Sequence, residues 1–80
     1  MYIGTAVAER IIELCRERDI SINRLCTISG VTQSTVNNIV SGRNNSATIS
    51  TVKKLCDGLD ISIQDFFSST LFQGLEQEIK

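Results

Sequence analysis

A dense run of uncharged hydrogen-bonding side chains occupies the middle of the chain, at residues 32–38. No acidic residue occurs between Asp19 and Asp57. The basic residues in this interval are Arg24, Arg43, Lys53 and Lys54. Amide side chains can hydrogen-bond to base edges, and lysine and arginine neutralise phosphates. The interval is therefore typical of a surface that lies against nucleic acid.

The charge of the chain is unevenly distributed, although 8 Lys+Arg and 9 Asp+Glu give a total of only -1. Residues 1–54 hold seven basic and four acidic residues, a net charge of +3, whereas residues 55–80 hold one basic and five acidic residues, a net charge of -4. The net charge of the whole chain disfavours a nucleic-acid partner, and the alternative explanation of the charge pattern is an ordinary solvated surface of mixed charge. The distribution instead predicts one basic face and an acidic C-terminal tail.

The length and composition of the chain exclude several kinds of function. Eighty residues predict one domain over residues 1–80, with a small core. The chain contains no histidine and no glycine-rich phosphate loop, so we predict no enzyme activity, no cofactor and no metal site. Cys15, Cys26 and Cys56 show no CxxC spacing and are predicted to be reduced core thiols. Without an apolar run of about 18 residues or a signal-peptide pattern, we expect a cytoplasmic protein.

Helical periodicity and the absence of proline predict an all-α fold of five short helices. The first is expected at about residues 5–18. Good N-cap residues precede the other four helices, at Ser21, Thr32, Thr48 and Ser62. Gly30 and Gly42 are expected to end the second and third helices in the left-handed conformation. The fourth helix is expected to bury Ile49, Val52, Leu55, Cys56 and Leu59.

The C-terminal tail, residues 70–80, has an apolar pattern of its own. Leu71, Leu75 and Ile79 are spaced at i, i+4 and i+8, so the tail could form a short sixth helix with one apolar stripe. Such a stripe needs a partner. It would either fold back on its own domain or contact a second copy of the chain, and the pattern does not decide between these alternatives.

Residues 22–40 meet the physical requirements of a helix-turn-helix. Two helices that cross at a wide angle need a small residue at their contact, here Cys26, and a left-handed residue in the turn, here Gly30. A Cβ atom in a left-handed turn costs about 1–2 kcal/mol. Val31 is expected to fill the turn, while Leu25, Val36 and Ile39 are buried against the first and fourth helices.

Four segments carry a resemblance to a known family: residues 21–26 (SINRLC), 30–43 (GVTQSTVNNIVSGR), 48–56 (TISTVKKLC) and 59–67 (LDISIQDFF). Together they resemble the lambda-repressor-like, Xre/Cro-type helix-turn-helix family of bacterial and phage transcription regulators. The resemblance covers about residues 7–67, most of the chain. It implies a compact five-helix DNA-binding domain to which the tail is appended.

The resemblance also implies roles for individual residues, with the third helix, about residues 33–41, in the DNA major groove. It assigns base reading mainly to Gln33, Ser34, Asn37 and Asn38, and Ser41 shares their exposed face. Glutamine and asparagine amides suit this role because they can pair with N6 and N7 of adenine. The residues expected to hold the DNA backbone are Thr32, Thr35, Arg43, Asn44 and Asn45, with a further contact from Arg24.

The leading interpretation is a repressor that binds a double-stranded, two-fold operator as a homodimer, with half-sites about 34 Å apart. The alternative is an antitoxin-like or other protein-interaction module with the same fold. The alternative is favoured by the net charge of -1 and by Ile22, because family members usually have a phosphate-binding glutamine at that position. An exposed third helix with a basic rim would favour DNA, and a third helix buried in a dimer interface would favour the alternative.

Overall fold

The structure is a computed structural model that describes residues 1–42 and 47–79. Within those ranges it contains five α-helices and no strand. The helices are α1 (Ile3–Glu17), α2 (Ile22–Ser29), α3 (Gln33–Val40), α4 (Ile49–Leu59) and α5 (Ile63–Phe67), followed by a single 3-10 turn at Thr70–Phe72. The predicted all-α fold is confirmed, although α1 begins two residues earlier than expected.

Side-chain hydroxyls cap four of the helices, as the sequence predicted. Each hydroxyl accepts a hydrogen bond from the backbone N–H three residues later: Ser21 from Arg24 at 3.0 Å, Thr32 from Thr35 at 3.3 Å, Thr48 from Thr51 at 3.1 Å and Ser62 from Asp65 at 3.0 Å. Such a cap stabilises a helix by about 1 kcal/mol. The start of each of these short helices is therefore fixed locally.

The chain leaves α1 and α4 through the same turn, because both connections have the sequence Asp-Ile-Ser-Ile, at residues 19–22 and 60–63. Asp19 and Asp60 have left-handed φ angles of 53° and 57°. The next N–H donates to the carbonyl five residues earlier, at Cys15 and Cys56 respectively, each at 3.0 Å. These bonds satisfy helix-terminal carbonyls, and the serine then caps the following helix.

The core lies where α2 packs against α4 and α1 packs against α3. Its fully buried side chains include Leu25, Val36, Leu55 and Phe66. The expectation that α4 also buries Ile49 is wrong, since this residue is exposed. Ile49 lies nine residues, about 13.5 Å along the helix axis, from Gly58, where α4 approaches the backbone of α2. Ile49 is the first residue of α4 and therefore lies far from that contact.

The sixth helix proposed for the tail is not formed. The segment instead forms the 3-10 turn at Thr70–Phe72. At the start of this turn, the Leu71 N–H donates a hydrogen bond to the Ser69 hydroxyl at 3.2 Å. Gly74 then adopts a left-handed φ of 67°, which ends helical geometry before Leu75. The following chain is non-helical, and the Glu76 N–H donates to the carbonyl of Met1 at 2.9 Å. The apolar residues of the tail therefore do not form one helical stripe.

A buried arginine joins the two ends of the fold. Arg10 on α1 donates from Nε to the Phe66 carbonyl at 2.7 Å and from Nη2 to the Asp65 carbonyl at 2.8 Å. Its Nη1 donates to Glu13 Oε1 at 2.5 Å, and Glu13 in turn accepts a bond from the Ser69 hydroxyl. Buried charge is costly unless it is hydrogen-bonded. These contacts satisfy the guanidinium and fix the end of α5 on α1.

Candidate nucleic-acid interface

The α3 helix presents two opposite faces. On its inner face Val36 and Ile39 are buried, and Val40, at the end of the helix, is half-buried. The outward side chains are all exposed: Gln33, Ser34, Asn37, Asn38 and Ser41. At 3.6 residues per turn, these five positions fall within an arc of about 140°. The structure thus brings together on one surface every residue that was expected to face the bases.

No residue of the exposed α3 face carries a charge, but three carry amides. Within residues 1–42 and 47–79, the side-chain amides of Gln33, Asn37 and Asn38 have no hydrogen-bond partner. The Ser41 hydroxyl instead donates to the Asn38 carbonyl at 3.4 Å. Each of these amides has a donor and an acceptor side by side. The face can therefore bind a ligand that presents the complementary pair.

Thr32 and Thr35 order the first turn of α3. The Thr32 hydroxyl caps the helix, and its oxygen lies 2.8 Å from Oγ1 of Thr35. Thr32 is exposed and Thr35 is half-buried. Both side chains thus lie beside the positive N-terminal end of the helix, where an anion is favoured. Their expected role in holding phosphate stays a prediction.

The turn that joins α2 to α3 has the predicted construction. Gly30 has a φ of 70°, and its N–H donates to the Cys26 carbonyl at 3.0 Å. Cys26 and Val31 are both buried. A Cβ on Gly30 would meet no atom within 4 Å, so the requirement for glycine at this position comes from its left-handed φ. The left-handed φ of Gly30 therefore makes the connection from α2 to α3.

The basic residues between Asp19 and Asp57 differ in their surroundings. Arg24 is exposed on α2. Lys53 binds Asp57 one helical turn later, and this hydrogen bond raises the pKa of the Lys53 ammonium. Lys54 is exposed beside it. The expected contacts of Arg43, Asn44 and Asn45 lie outside the described residues.

Ile22 does not supply a polar group at the start of α2. Its side chain is half-buried and packs against the core. At the position where the resembling family usually carries glutamine, this chain therefore uses an apolar side chain for packing. Any phosphate contact at this end of α2 has to come from the backbone or from neighbouring residues such as Arg24.

Other kinds of site find little support in the described ranges. No group of three or more Cys, Asp or Glu side chains there is placed to hold a metal ion. Cys15, Cys26 and Cys56 are buried, and burial raises the pKa of each thiol, so these residues are protonated at neutral pH. In the same ranges, no helix has the length and apolar character needed to cross a membrane.

Comparisons with known proteins agree with this geometry. The sequence model of the Cro/C1-type helix-turn-helix (HTH) DNA-binding domain family matches residues 10–70, which include all of α2, α3, α4 and α5. The chain is also similar to the crystal structure of the prophage Lp1 protein 11, with 38% identity and a TM-score of 0.80, over 94% of this chain and 100% of that one. A search of curated proteins found no match. With three-quarters of its length matched by the family model, the chain belongs to the Cro/C1-type helix-turn-helix DNA-binding domain family.

Proposed function

We propose that this chain is a sequence-specific transcriptional regulator, a repressor, that reads the DNA major groove with α3 as a homodimer. The observation that carries this proposal is the uncharged amide face of α3, which projects outward above buried Val36 and Ile39. An α-helix fits the major groove, where every base pair has a distinct pattern of donors and acceptors. The family assignment supports DNA as the ligand.

The spacing of the amides supports the reading of more than one base pair. Gln33 and Asn37 are four residues apart, about 6 Å along the helix axis. Successive base pairs are about 3.4 Å apart, so these two side chains reach positions about two steps apart when α3 lies along the groove. Ser34 and Asn38 form a second row with the same spacing. The two rows suit a short half-site.

Affinity and discrimination have separate sources in this proposal. The exposed face of α3 has no charge, so it contributes little to the release of counterions from DNA. That contribution comes from cations elsewhere in the chain, such as Arg24 and Arg43. Positioning by phosphate contacts and reading by base contacts are therefore carried by different residues.

The alternative function, an antitoxin-like or other protein-interaction module, is favoured by the apolar Ile22 and by the net charge of -1. The exposure of the whole outward face of α3 supports the DNA-binding proposal instead. A protein partner that covered this face in solution would support the alternative.

The test is selection of bound sequences from a random DNA pool at moderate salt, followed by affinity measurements with variants. We expect Gln33→Ala and Asn38→Ala each to cost about 1–3 kcal/mol on the selected operator while non-specific binding is nearly unchanged. Gln64→Ala is the matched control, because it removes an exposed amide from α5. Equal losses on operator and random DNA would contradict base reading by α3.

A further inference from the structure

Two clefts lie side by side along the outward face of α1. The larger cleft, about 400 Å³, is lined by Glu9, Ile12, Glu13, Arg16 and Glu17 of α1 and by Leu71 of the 3-10 turn. The second cleft, about 340 Å³, also has Glu9 and Ile12 in its lining and reaches Val40 and Ser41 at the end of α3. Because the two clefts share these residues, they adjoin, and we call them together the α1 groove.

We infer that the α1 groove is a docking surface for a cationic amphipathic helix of another protein. Such a helix carries apolar side chains along one stripe, with lysine or arginine beside the stripe. The inference goes beyond the proposed function, because the α1 groove is a different surface from the amide face of α3 that is proposed to read bases.

The α1 groove has an apolar lining that the fold holds in place. Ile12 and Leu71 are both half-buried, and they face the larger cleft from two different elements. The segment that carries Leu71 is bound to α1, since the Ser69 hydroxyl donates to Glu13 Oε1 at 3.1 Å. An apolar side chain of the partner can therefore be buried between Ile12 and Leu71 in a cleft that is already formed.

The charge of the α1 groove selects the kind of partner. Its three carboxylates, on Glu9, Glu13 and Glu17, follow one another at intervals of four residues and face a single guanidinium, that of Arg16. Glu13 is bound by Arg10 and Ser69, whereas Glu9 and Glu17 are exposed at the surface. An acidic groove repels the phosphates of DNA and of anionic lipids, and it attracts lysine and arginine side chains. The partner is therefore a cationic protein segment.

The length of the α1 groove fits a helix. Its α1 lining extends from Gly4 to Glu17, about 20 Å along the helix axis. A partner helix of three to four turns has the same length and can place apolar anchors one turn apart along the groove. At the α3 end, the groove includes Ser41, where the negative end of the α3 dipole also favours a cation.

The experiment is a titration of the 15N-labelled full chain, followed by NMR, with a blocked peptide of leucine, alanine and lysine. The peptide has about 14 residues, enough for a 20 Å helix, with leucine at i, i+3, i+4 and i+7. We expect amide shift changes concentrated at the residues that line the groove, including Ile12 and Leu71. A peptide of the same composition in shuffled order is the first control, and it should bind at least about fivefold more weakly.

Variants of the chain test the acidic rim and the apolar lining separately. The double variant Glu9→Gln with Glu17→Gln should raise the dissociation constant for the patterned peptide at least about fivefold, because two charge pairs are lost. The double variant Glu76→Gln with Glu78→Gln is the matched control, since it removes two exposed carboxylates from the tail and should change the constant less than about twofold. Ile12→Ser should also weaken binding, and circular dichroism checks that every variant keeps the helical content of the wild type.

Several outcomes would overturn the inference. Equal losses in the two double variants, or equal binding of the shuffled peptide, would mean general attraction to an acidic chain. The absence of shift changes up to millimolar peptide would mean that no such helix binds. Shifts at the groove residues that depend on the concentration of the chain alone would mean that a second copy occupies the groove. The titration contains no DNA, so its result is independent of whether the chain selects an operator.

Discussion

Gly58 is a glycine at which an added methyl group would overlap its neighbours, whereas Gly30, Gly42 and Gly74 have open space at the same position. It lies within α4, at the point where this helix approaches α2. A Cβ atom on Gly58 would lie 2.8 Å from Ser29 Cα and 2.9 Å from both Ser29 N and Ser29 Cβ. The backbone of Gly58 is helical, so an alanine there meets steric overlap without backbone strain.

The expected cost of Gly58→Ala follows from these distances. Carbon atoms in contact are normally about 3.5–4.0 Å apart, so the helices must separate by about 0.7–1.2 Å. Two of the three atoms belong to the backbone and cannot rotate away. Overpacking of this kind costs about 1–3 kcal/mol, whereas alanine gains about 0.8–1.0 kcal/mol over glycine in a helix. The difference is about 0–2 kcal/mol. Because the separation loosens the whole contact between α2 and α4, we expect a net loss in the upper half of this range, about 1–2 kcal/mol.

Urea denaturation followed by circular dichroism measures this loss. The midpoint should fall with an unchanged slope, and the melting temperature should drop by about 5–15 °C, since 1 kcal/mol corresponds to about 4–8 °C in a domain of this size. Lys54→Ala is the control, because it introduces alanine at an exposed position of the same helix and should change stability by less than about 0.5 kcal/mol. A Gly58→Ala variant as stable as the wild type would refute the close approach of α2 and α4.

Four further variants test separate features. Gly30→Val should destabilise the chain by more than about 1 kcal/mol in the same urea assay, because a β-branched residue rarely adopts its positive φ; stability equal to wild type would mean that the turn is misplaced. Asp60→Gly should raise stability by about 0.5–1 kcal/mol, because glycine adopts the left-handed conformation without strain and the change removes a negative charge at the end of α4. A lower urea midpoint than that of the wild type would contradict this. Arg10→Lys should lower stability by about 2–4 kcal/mol, because a lysine cannot reproduce the hydrogen bonds to Phe66, Asp65 and Glu13. A loss of less than about 1 kcal/mol would show that these hydrogen bonds contribute little to stability. Arg43→Ala should weaken binding to all DNA sequences alike and reduce the slope of log K against log salt by about one, whereas a loss confined to the operator would indicate base reading.

Local interactions explain why much of this fold could be predicted. The four hydroxyl caps and the left-handed Gly30 depend on bonds within a few residues, so the sequence carries their signal directly. The exposed face of α3 follows from the same local logic, because burial of Val36 and Ile39 forces the amides outward. The family resemblance was confirmed by the match over residues 10–70.

The features that escaped prediction depend on distant parts of the chain or on competing local geometry. The partners of Arg10 are backbone carbonyls 55 and 56 residues away, which no spacing of side chains reveals. The tail has a helical apolar spacing, but the Ser69 cap and the left-handed Gly74 divert it into a 3-10 turn and a non-helical segment. Ile49 matches the buried stripe of α4 in period, yet it is the first residue of the helix and its side chain is exposed.

The long-range bonds of Arg10 have a consequence for synthesis of the protein. Its carbonyl partners follow it by 55 and 56 residues, so at about 5–20 residues per second the ribosome needs on the order of 3–11 s to produce them. During that time the guanidinium stays hydrated, and α1 cannot take its final place against the end of α5. Nascent chains that end before α5 therefore leave Arg10 without these partners, and the domain completes its packing only after residues 65 and 66 have been made.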